Sequence, residues 1–571
     1  MSIRNLDQLF APASIAVFGA SLRPARVGTI VWKNILHGGF RGAIYPVNPK
    51  YRELEGTRVF ARTADLPAAP ELAVICTPPA TVPGLIAELG ALGTRAALML
   101  TAGLSPRQQE AMLRAARPHL LRILGPACVG MLSPPIGLNA SCAHTDALAG
   151  GLAFVSQSGA LVTAMLDWAR ERAIGFSHFV SLGESADVDV GDVLDYLASD
   201  AQTRAVILYI ESIASARKFM SAARAAARNK PVIVVKAGRS EADPVYDAAI
   251  SRAGMLRVDT LQDLFLAAET LTRLRNNRSD ELTILTNGGG AGVMAADAAA
   301  RSNLQLAAPS AALVQRLDAV LPANWSRGNP VNIGGDMPVQ RYVDALEILG
   351  DDLASGAILF MHAPSALVPS EEIAHALVPI AQRFAPRIMA CWLGEAAVAK
   401  ARLAFRDAGI AGYATPDEAV RAFSLLVTYR RNQAQLMRAP ATQAATPWAL
   451  AGANHRVAIQ ELLQRVLAEG REILTQPEVK TVLDAYGIPV TLTRHVGPHP
   501  AEAATAAAAI GLPVVLKIRS TDIAHKSASG GVVLHLDSAP EVREAAQAML
   551  ARARKANPDA RIDGFTVQAM V

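Results

Sequence analysis

The chain has 571 residues, 51% of them hydrophobic and 18% charged, with a mean hydropathy of +0.24. At about 150 residues per domain, this length predicts roughly three to five domains, and such an apolar content excludes a disordered or highly charged scaffold. The net charge is +5, from 55 basic and 50 acidic residues without a basic run, which excludes nucleic-acid binding driven by charge.

No stretch approaches the roughly 18 uncharged apolar residues of a membrane span, and residues 1–10 lack the apolar core of a signal peptide. The four cysteines, Cys76, Cys128, Cys142 and Cys391, show no C-x-x-C spacing. They argue against a disulfide framework and against a structural zinc site, so no metal site is expected and a reducing cytoplasm is the natural setting.

Taken in chain order, residues 14–18 (SIAVF) read as a strand, closed by the turn Gly19-Ala20-Ser21 and followed by a helix over 28–36. Further strands are expected at 43–46, 72–76 and 96–100. They end in Val47-Asn48-Pro49-Lys50, Thr77-Pro78-Pro79 and Thr101-Ala102-Gly103. Strand and helix alternating at this spacing predict a right-handed parallel sheet, which binds ligands beyond the carboxyl ends of its strands. A second segment repeats the pattern. The strand at 152–155 runs into Ser156-Gln157-Ser158-Gly159 and a helix to about 172, and later strands fall at 179–182, 205–210 and 231–236. A third has strands at 283–286, 357–361 and 387–392, with the turn Asn287-Gly288-Gly289-Gly290 and a helix over 416–431. Residues 440–454 (PATQAATPWALAGAN) read as a linker. Beyond it come a helix at 476–486, strands at 513–517, 532–536 and 565–567, and a Gly530-Gly531 turn. The expected division is 1–132, 133–278 and 279–438 as three parallel-sheet α/β domains, 439–471 as linker, and 472–571 as a last domain. Gly19, Pro24 and Gly28 form a tight strand-to-helix turn, which exposes backbone N–H groups to an anion or is a plain structural turn. Ser156–Gly159 has the same two readings, a phosphate site or an ordinary helix cap.

The run V-F-G-A-S-x-x-P-x-x-x-G, then Y-P-V-N-P-K, V-I-C-T-P-P and T-A-G, resembles the CoA-binding domain of NDP-forming acyl-CoA synthetases, the succinyl-CoA synthetase superfamily. The resemblance continues through V-S-Q-S-G-A, S-L-G-E-S-A-D-V-D, L-Y-I-E, V-K-A-G-R, Y-D-A-A, R-A-G and N-G-G-G-A-G-V and covers essentially the whole chain. It implies a Rossmann-like CoA-binding domain, two flavodoxin-like domains and one lobe of an ATP-grasp domain. It also implies that Gly19, Ser21, Pro24, Gly28, Asn48, Lys50, Thr77 and Pro78 line a site for CoA or acetyl-CoA, closed by Ala102 and Gly103. Ser156, Ser158 and Gly159 would hold a phosphate. In the last domain Lys517, His525, Lys526 and Gln568 would reach ATP or ADP, with Mg²⁺ possible on carboxylates of a second lobe.

Two departures from the family pattern stand out. Where the family has Asn after Gly-Pro, this chain has Gly125-Pro126-Ala127. The family's phosphate-carrying histidine lies between the Lys-Gly-Arg-like motif and Tyr-Asp-Ala-Ala. Here only residues 240–244 separate Arg239 from Val245-Tyr246, and no histidine occurs between His178 and His362. Glu211, which would hold that histidine, is left without its partner, so no catalytic residue is assigned in this region. The missing histidine, with stretches such as Asp167-Trp168-Ala169 and Tyr429-Arg430-Arg431-Asn432-Gln433, resembles bacterial Pat-type protein lysine acetyltransferases. That resemblance implies a ligase-inactive region that binds acetyl-CoA and regulates a C-terminal GNAT domain acting on protein lysines, in a possible homo-oligomer. The alternative is an active ADP-forming acyl-CoA ligase with His525 as phosphate carrier. A nicotinamide-dependent oxidoreductase ranks last, because the first turn lacks the G-x-G-x-x-G fingerprint.

Overall fold

The structure is a computed structural model. It describes residues 3–438 except 172–173, 239–242, 275–276 and 336, and residues 447–570 except 472, 487, 521, 523–529, 557 and 559. The chain divides into two compact units, Met1–Arg438 and Ala439–Val571.

The first unit carries three parallel α/β sheets, which form because runs of Val, Ile, Leu and Ala are buried on both faces. In the first sheet the strand order is Ala43–Val47, Ser14–Phe18, Leu72–Ile75, Ala96–Met99, Arg122–Leu124, all parallel. The chain leaves Ser14–Phe18 toward one edge and returns on its other side. The strand order therefore reverses between Ser14–Phe18 and Leu72–Ile75, which opens a crevice beyond their carboxyl ends. The second sheet does the same around Leu148–Ser156, flanked by Gly175–Ser181 and Ala205–Ile210. The third reverses around Glu281–Thr286, between Gln305–Leu306 and Ala357–His362. The mixed α/β, multidomain parallel-sheet class expected from the sequence is the one observed.

The hairpin Gly130–Ser133 and Leu138–Ser141 joins the edge of the second sheet antiparallel, through Phe179↔Leu132 and Val180↔Met131. A boundary at 132 therefore falls inside a strand. Two four-residue strands carry too little periodicity to read from sequence, and their partner is distant in the chain. The sheets share cores: Val17 and Val74 belong with Val155 and Leu208, and Phe154 and Ile207 with Ile284 and Leu359. The stretch Ser181–Asp189 docks along the last strand of the first sheet. Glu184 N donates to Pro126 O (2.9 Å), Ala186 N to Gly125 O (3.0 Å) and Val188 N to Ile123 O (3.1 Å). Arg122 clamps it, reaching Asp187 at 2.9 Å and the buried Asp192 at 3.0 Å.

In the second unit a helix spans Pro447–Ala468, so much of the stretch read as linker is helical. Pro447 starts it, and the Ala, Leu and Gln residues that follow are helix formers. The sheet here is antiparallel, in the order Thr493–Val496, Gly564–Ala569, Val514–Arg519, Val532–Leu536. Val514, Leu516, Ile518, Phe565 and Val567 share one core with residues of the helices Pro500–Ile510 and Ala539–Ala556. Among the described residues no helix is long and apolar enough to cross a membrane.

Candidate functional site

A crevice of about 1040 Å³ lies where the first sheet reverses its strand order. Gly19 ends the strand with φ +88°, and its N–H donates to Val47 O (3.0 Å). A Cβ at Gly28, in the first turn of the helix Val27–His37, would stand 2.1 Å from Gly19 O. Only glycine lets this helix start so close to the strand end. Ser21 Oγ accepts from Arg23 N (3.0 Å) and lies 3.2 Å from Tyr51 Oη. That hydroxyl contact draws the Tyr51 phenol below its ordinary range. Asn48 joins two turns: its Nδ2 donates to Ala20 O (2.8 Å) and its Oδ1 accepts from Lys50 N (3.0 Å). On the far wall, Thr101 Oγ1 donates to Thr77 O (2.7 Å) and Thr81 Oγ1 to Thr77 Oγ1 (2.9 Å).

Of the residues expected at this site, Gly19, Ser21, Gly28, Asn48, Lys50, Thr77 and Pro78 line the crevice, whereas Pro24, Ala102 and Gly103 do not. Pro24 is an exposed turn residue, and Ala102 and Gly103 are exposed beyond the strand Ala96–Met99. Arg23, Arg26, Tyr51, Arg62 and Cys76 also line it and were missed. The two arginines flanking Pro24 were the available signal. Arg23, Arg26, Lys50 and Arg62 line it with one carboxylate, Glu88; Arg62 is paired with Asp65 at 3.2 Å, which leaves three cations against Glu88, and the helix beginning at Val27 has no acid in its first turn. The crevice is therefore electropositive, suited to phosphate groups. Burial pushes the Cys76 thiol far above its ordinary range, so Cys76 is a wall and not a thiolate nucleophile.

In the second sheet, the helix Gly159–Glu171 starts at the point where the strand order reverses. Ser156 is buried, and its Oγ accepts from Ser158 N and donates to Ser158 O, both at 3.0 Å. Gln157 Oε1 accepts from Glu211 N (2.6 Å) and Ser212 N (3.1 Å). Glu211 thus stands beside the Ser156–Gly159 turn. The bracketing histidines are both buried. His178 lies between Ser133 Oγ (3.1 Å, Nδ1) and Asp200 Oδ2 (3.3 Å, Nε2). His362 contacts Ser370 Oγ (3.2 Å), and burial lowers its imidazole to about 4. Neither is placed to carry a phosphoryl group.

In the second unit, Lys517 Nζ donates to Gln568 Oε1 (2.9 Å). His525 and Lys526 lie outside the described residues. Among the described residues no cluster of three or more His, Cys, Asp or Glu side chains is arranged to hold a metal ion.

Comparison with known proteins gives these sites a family. Residues 13–134 match the CoA binding domain, 149–244 the succinyl-CoA ligase like flavodoxin domain, and 465–571 an ATP-grasp domain. An ADP-forming acetate–CoA ligase of Archaeoglobus fulgidus is 32% identical over 99% of this chain and 83% of its own length. The chain belongs to the NDP-forming acyl-CoA synthetase family. A 4-hydroxybutyrate–CoA ligase of Nitrosopumilus maritimus is 28% identical over 99% of this chain and 82% of its own length. Among solved structures, the dinucleotide forming acetyl-coenzyme A synthetase 1 of Ca. Korarchaeum cryptofilum superposes with TM-score 0.72 at 32% identity. It covers 76% of this chain and 99% of that one.

These matches overturn the acetyltransferase reading. The relatives that align with nearly the whole chain are ligases, and neither a regulatory role toward a GNAT domain nor loss of ligase activity follows. The acetyltransferase resemblance rested on short stretches and one missing histidine, whereas the ligase similarity runs through every sheet.

Proposed function

We propose that the chain is an ADP-forming acyl-CoA ligase that interconverts acyl-CoA, ADP and phosphate with a small carboxylic acid, CoA and ATP. The observation that carries this reading is the electropositive crevice at Gly19–Gly28 and Lys50, in a chain aligned over 99% of its length with an acetate–CoA ligase. Gly19, Ser21, Asn48, Lys50 and Thr77 hold the phosphates and pantetheine arm of CoA. Phosphate, bound at the helix start Ser158–Gly159, attacks the thioester carbonyl. The C–S bond breaks, and CoA leaves as thiolate with an acyl phosphate formed. An imidazole nitrogen then attacks phosphorus, releasing the carboxylate, and the phosphohistidine passes its phosphoryl group to ADP. With no histidine between His178 and His362, and both of those buried, His525 is the proposed carrier. Lys517 and Gln568 face the nucleotide phosphates.

The test is ATP formation by the 571-residue chain from ADP, phosphate and acetyl-CoA or 4-hydroxybutyryl-CoA. ATP should appear with at least one thioester, and His525→Ala should abolish it while CoA binding, read by calorimetry, is unchanged. No ATP from either thioester would overturn the reading. Full turnover by His525→Ala would overturn the carrier alone.

A further inference from the structure

A cavity of about 1540 Å³ lies at the end of the second sheet opposite the Ser156–Gly159 turn. Its wall is built at the amino ends of the strands, by Gly150 and Gly151 near the start of Leu148–Ser156, Phe176 of Gly175–Ser181, and Arg204 just before Ala205–Ile210. The helix Leu261–Arg273 and the strand Ala411–Tyr413 of the third sheet add to it. None of the residues assigned above to CoA, phosphate or nucleotide lines this cavity. The strand Leu148–Ser156 bulges here, because Ala149 and Leu152 both pair with Phe176 and leave Gly150 and Gly151 extra. A Cβ on Gly151 would stand 3.0 Å from Arg204 Cδ, so the Arg204 stem lies against bare backbone. Arg204 N donates to Gly151 O (2.7 Å) and fixes the residue there. Met165, Phe176 and Ile207 are buried in the same wall. Trp168 and Phe265 complete it as an edge-to-face pair with centroids 6.3 Å apart, and Trp168 keeps 38% of its surface exposed.

The other charges of the lining are answered within the protein. Lys230 Nζ donates to Leu197 O (2.6 Å) and to Asp200 O. Arg273 pairs with Glu269 at 3.5 Å and donates to Ile410 O (2.6 Å), and Arg406 pairs with Asp407 at 3.1 Å. Glu418 accepts from Ala414 N (2.9 Å) in the first turn of the helix Pro416–Met437, where the helix dipole favours an acid. The Arg204 guanidinium makes no ion pair or hydrogen bond with a side chain among the described residues. A mostly apolar cavity with one unanswered charge selects an apolar body carrying one opposite charge. The paired rings favour an aromatic body, since a further ring can pack edge-to-face or offset against them. We infer that this cavity binds an aromatic monocarboxylic acid, with its ring against Trp168 and Phe265 and its carboxylate on Arg204. A phosphate dianion would need a second unpaired cation, which the lining does not supply. One wall belongs to the second sheet and another to the third, so the occupant ties the two domains together and acts as an effector rather than as a reactant.

The experiment is calorimetry of the 571-residue chain with phenylacetate, 3-phenylpropionate and phenethylamine, repeated on the Arg204→Met, Arg204→Lys and Trp168→Ala variants. At least one of the two acids should bind once per chain with a Kd of about 1 mM or tighter. Phenethylamine, the same ring with the opposite charge, should not bind. Arg204→Met should weaken the acid about tenfold, the loss of one charge-assisted contact, and Arg204→Lys should retain part of the affinity. Trp168→Ala should weaken it by up to about tenfold. The bound acid should raise the melting temperature of the wild type and not that of Arg204→Met, whose own melting temperature without ligand should match the wild type. No binding of either acid would overturn the inference, as would phenethylamine binding as tightly as the acids. Acid binding that survives both Arg204→Met and Trp168→Ala would place the acid elsewhere, for instance among the groups of the ligase reaction, and would overturn it too.

Discussion

Two helix starts in the first unit look alike in outline and differ in what they leave unsatisfied. At Gly19–Gly28 the turn is held from outside. Asn48 reaches across to Ala20 O, Gly28 seats against Gly19 O, and four basic side chains line the crevice in front. At Ser156–Gly159 the turn is braced from inside, because the Ser156 hydroxyl bonds both backbone groups of Ser158. A strand-turn-helix at a reversal of strand order is thus a place where an anion can bind. Whether the turn or a ligand satisfies its donors depends on the side chains around it.

The largest effect should come from closing the first turn. Gly28→Ala sets a methyl 2.1 Å from a carbonyl oxygen. It should cost about 3 kcal/mol or more and abolish measurable CoA binding, read by thermal unfolding and calorimetry. Gly290→Ala, where an added Cβ meets nothing within 4 Å, should change stability by less than about 1 kcal/mol. Equal effects would erase the contrast between a packed and a free glycine.

Removing a cation from the crevice should matter less for folding and more for the ligand. Lys50→Met should lower CoA affinity about tenfold without moving the melting temperature. The same charge removed at Arg316, an exposed helix residue paired with Asp351 at 3.8 Å, should leave CoA binding unaltered. Ser156→Ala should do the reverse of Lys50→Met. It should cost about 1 kcal/mol of stability, the worth of the Ser156 hydroxyl's hydrogen bonds to Ser158, and leave CoA affinity intact. A loss of CoA affinity would show the two turns to be coupled.

A third helix start, in the second unit, is wholly structural and gives the smallest effect. Thr475 N donates to Glu478 (2.6 Å), and Arg471 holds the same carboxylate at 2.9 Å. The Arg471 contact, with those from Thr475, outweighs burial and draws Glu478 from 4.5 to about 2. A carboxyl lowered on folding stabilises fully above its unfolded value and loses that contribution as pH falls toward the folded one. Urea unfolding should therefore show wild type more stable than Glu478→Gln at pH 6, with the gap narrowing between about 4.5 and about 2. A gap independent of pH would show that the carboxylate's charge is not what caps the helix.

Much of the crevice was legible because its residues sit in turns that adjoin predictable strands. Gly19, Ser21, Asn48, Lys50 and Thr77 each follow a short apolar run by one to four positions, and parallel topology brings such turns to one edge. Arg62 and Tyr51 were not legible, since they reach the crevice through loops whose paths periodicity does not encode. Ala102 and Gly103 show the converse, a strand-end turn at the expected edge but too far along the sheet to line the site. The helix Pro447–Ala468 was read as linker because proline and threonine just before it masked the helix-forming run behind.

The sequence by itself determined the parallel-sheet architecture, the glycines the first turn requires and the family to which the motifs belong, because these follow from local periodicity and from residues at fixed offsets. Tertiary structure alone decided which basic side chains line the crevice, that His178 and His362 are buried, and that Lys480 bonds Thr493 while Lys517 bonds Gln568. Each of these depends on strand order and register, which bring distant segments within a few ångströms and which no local pattern of residues encodes.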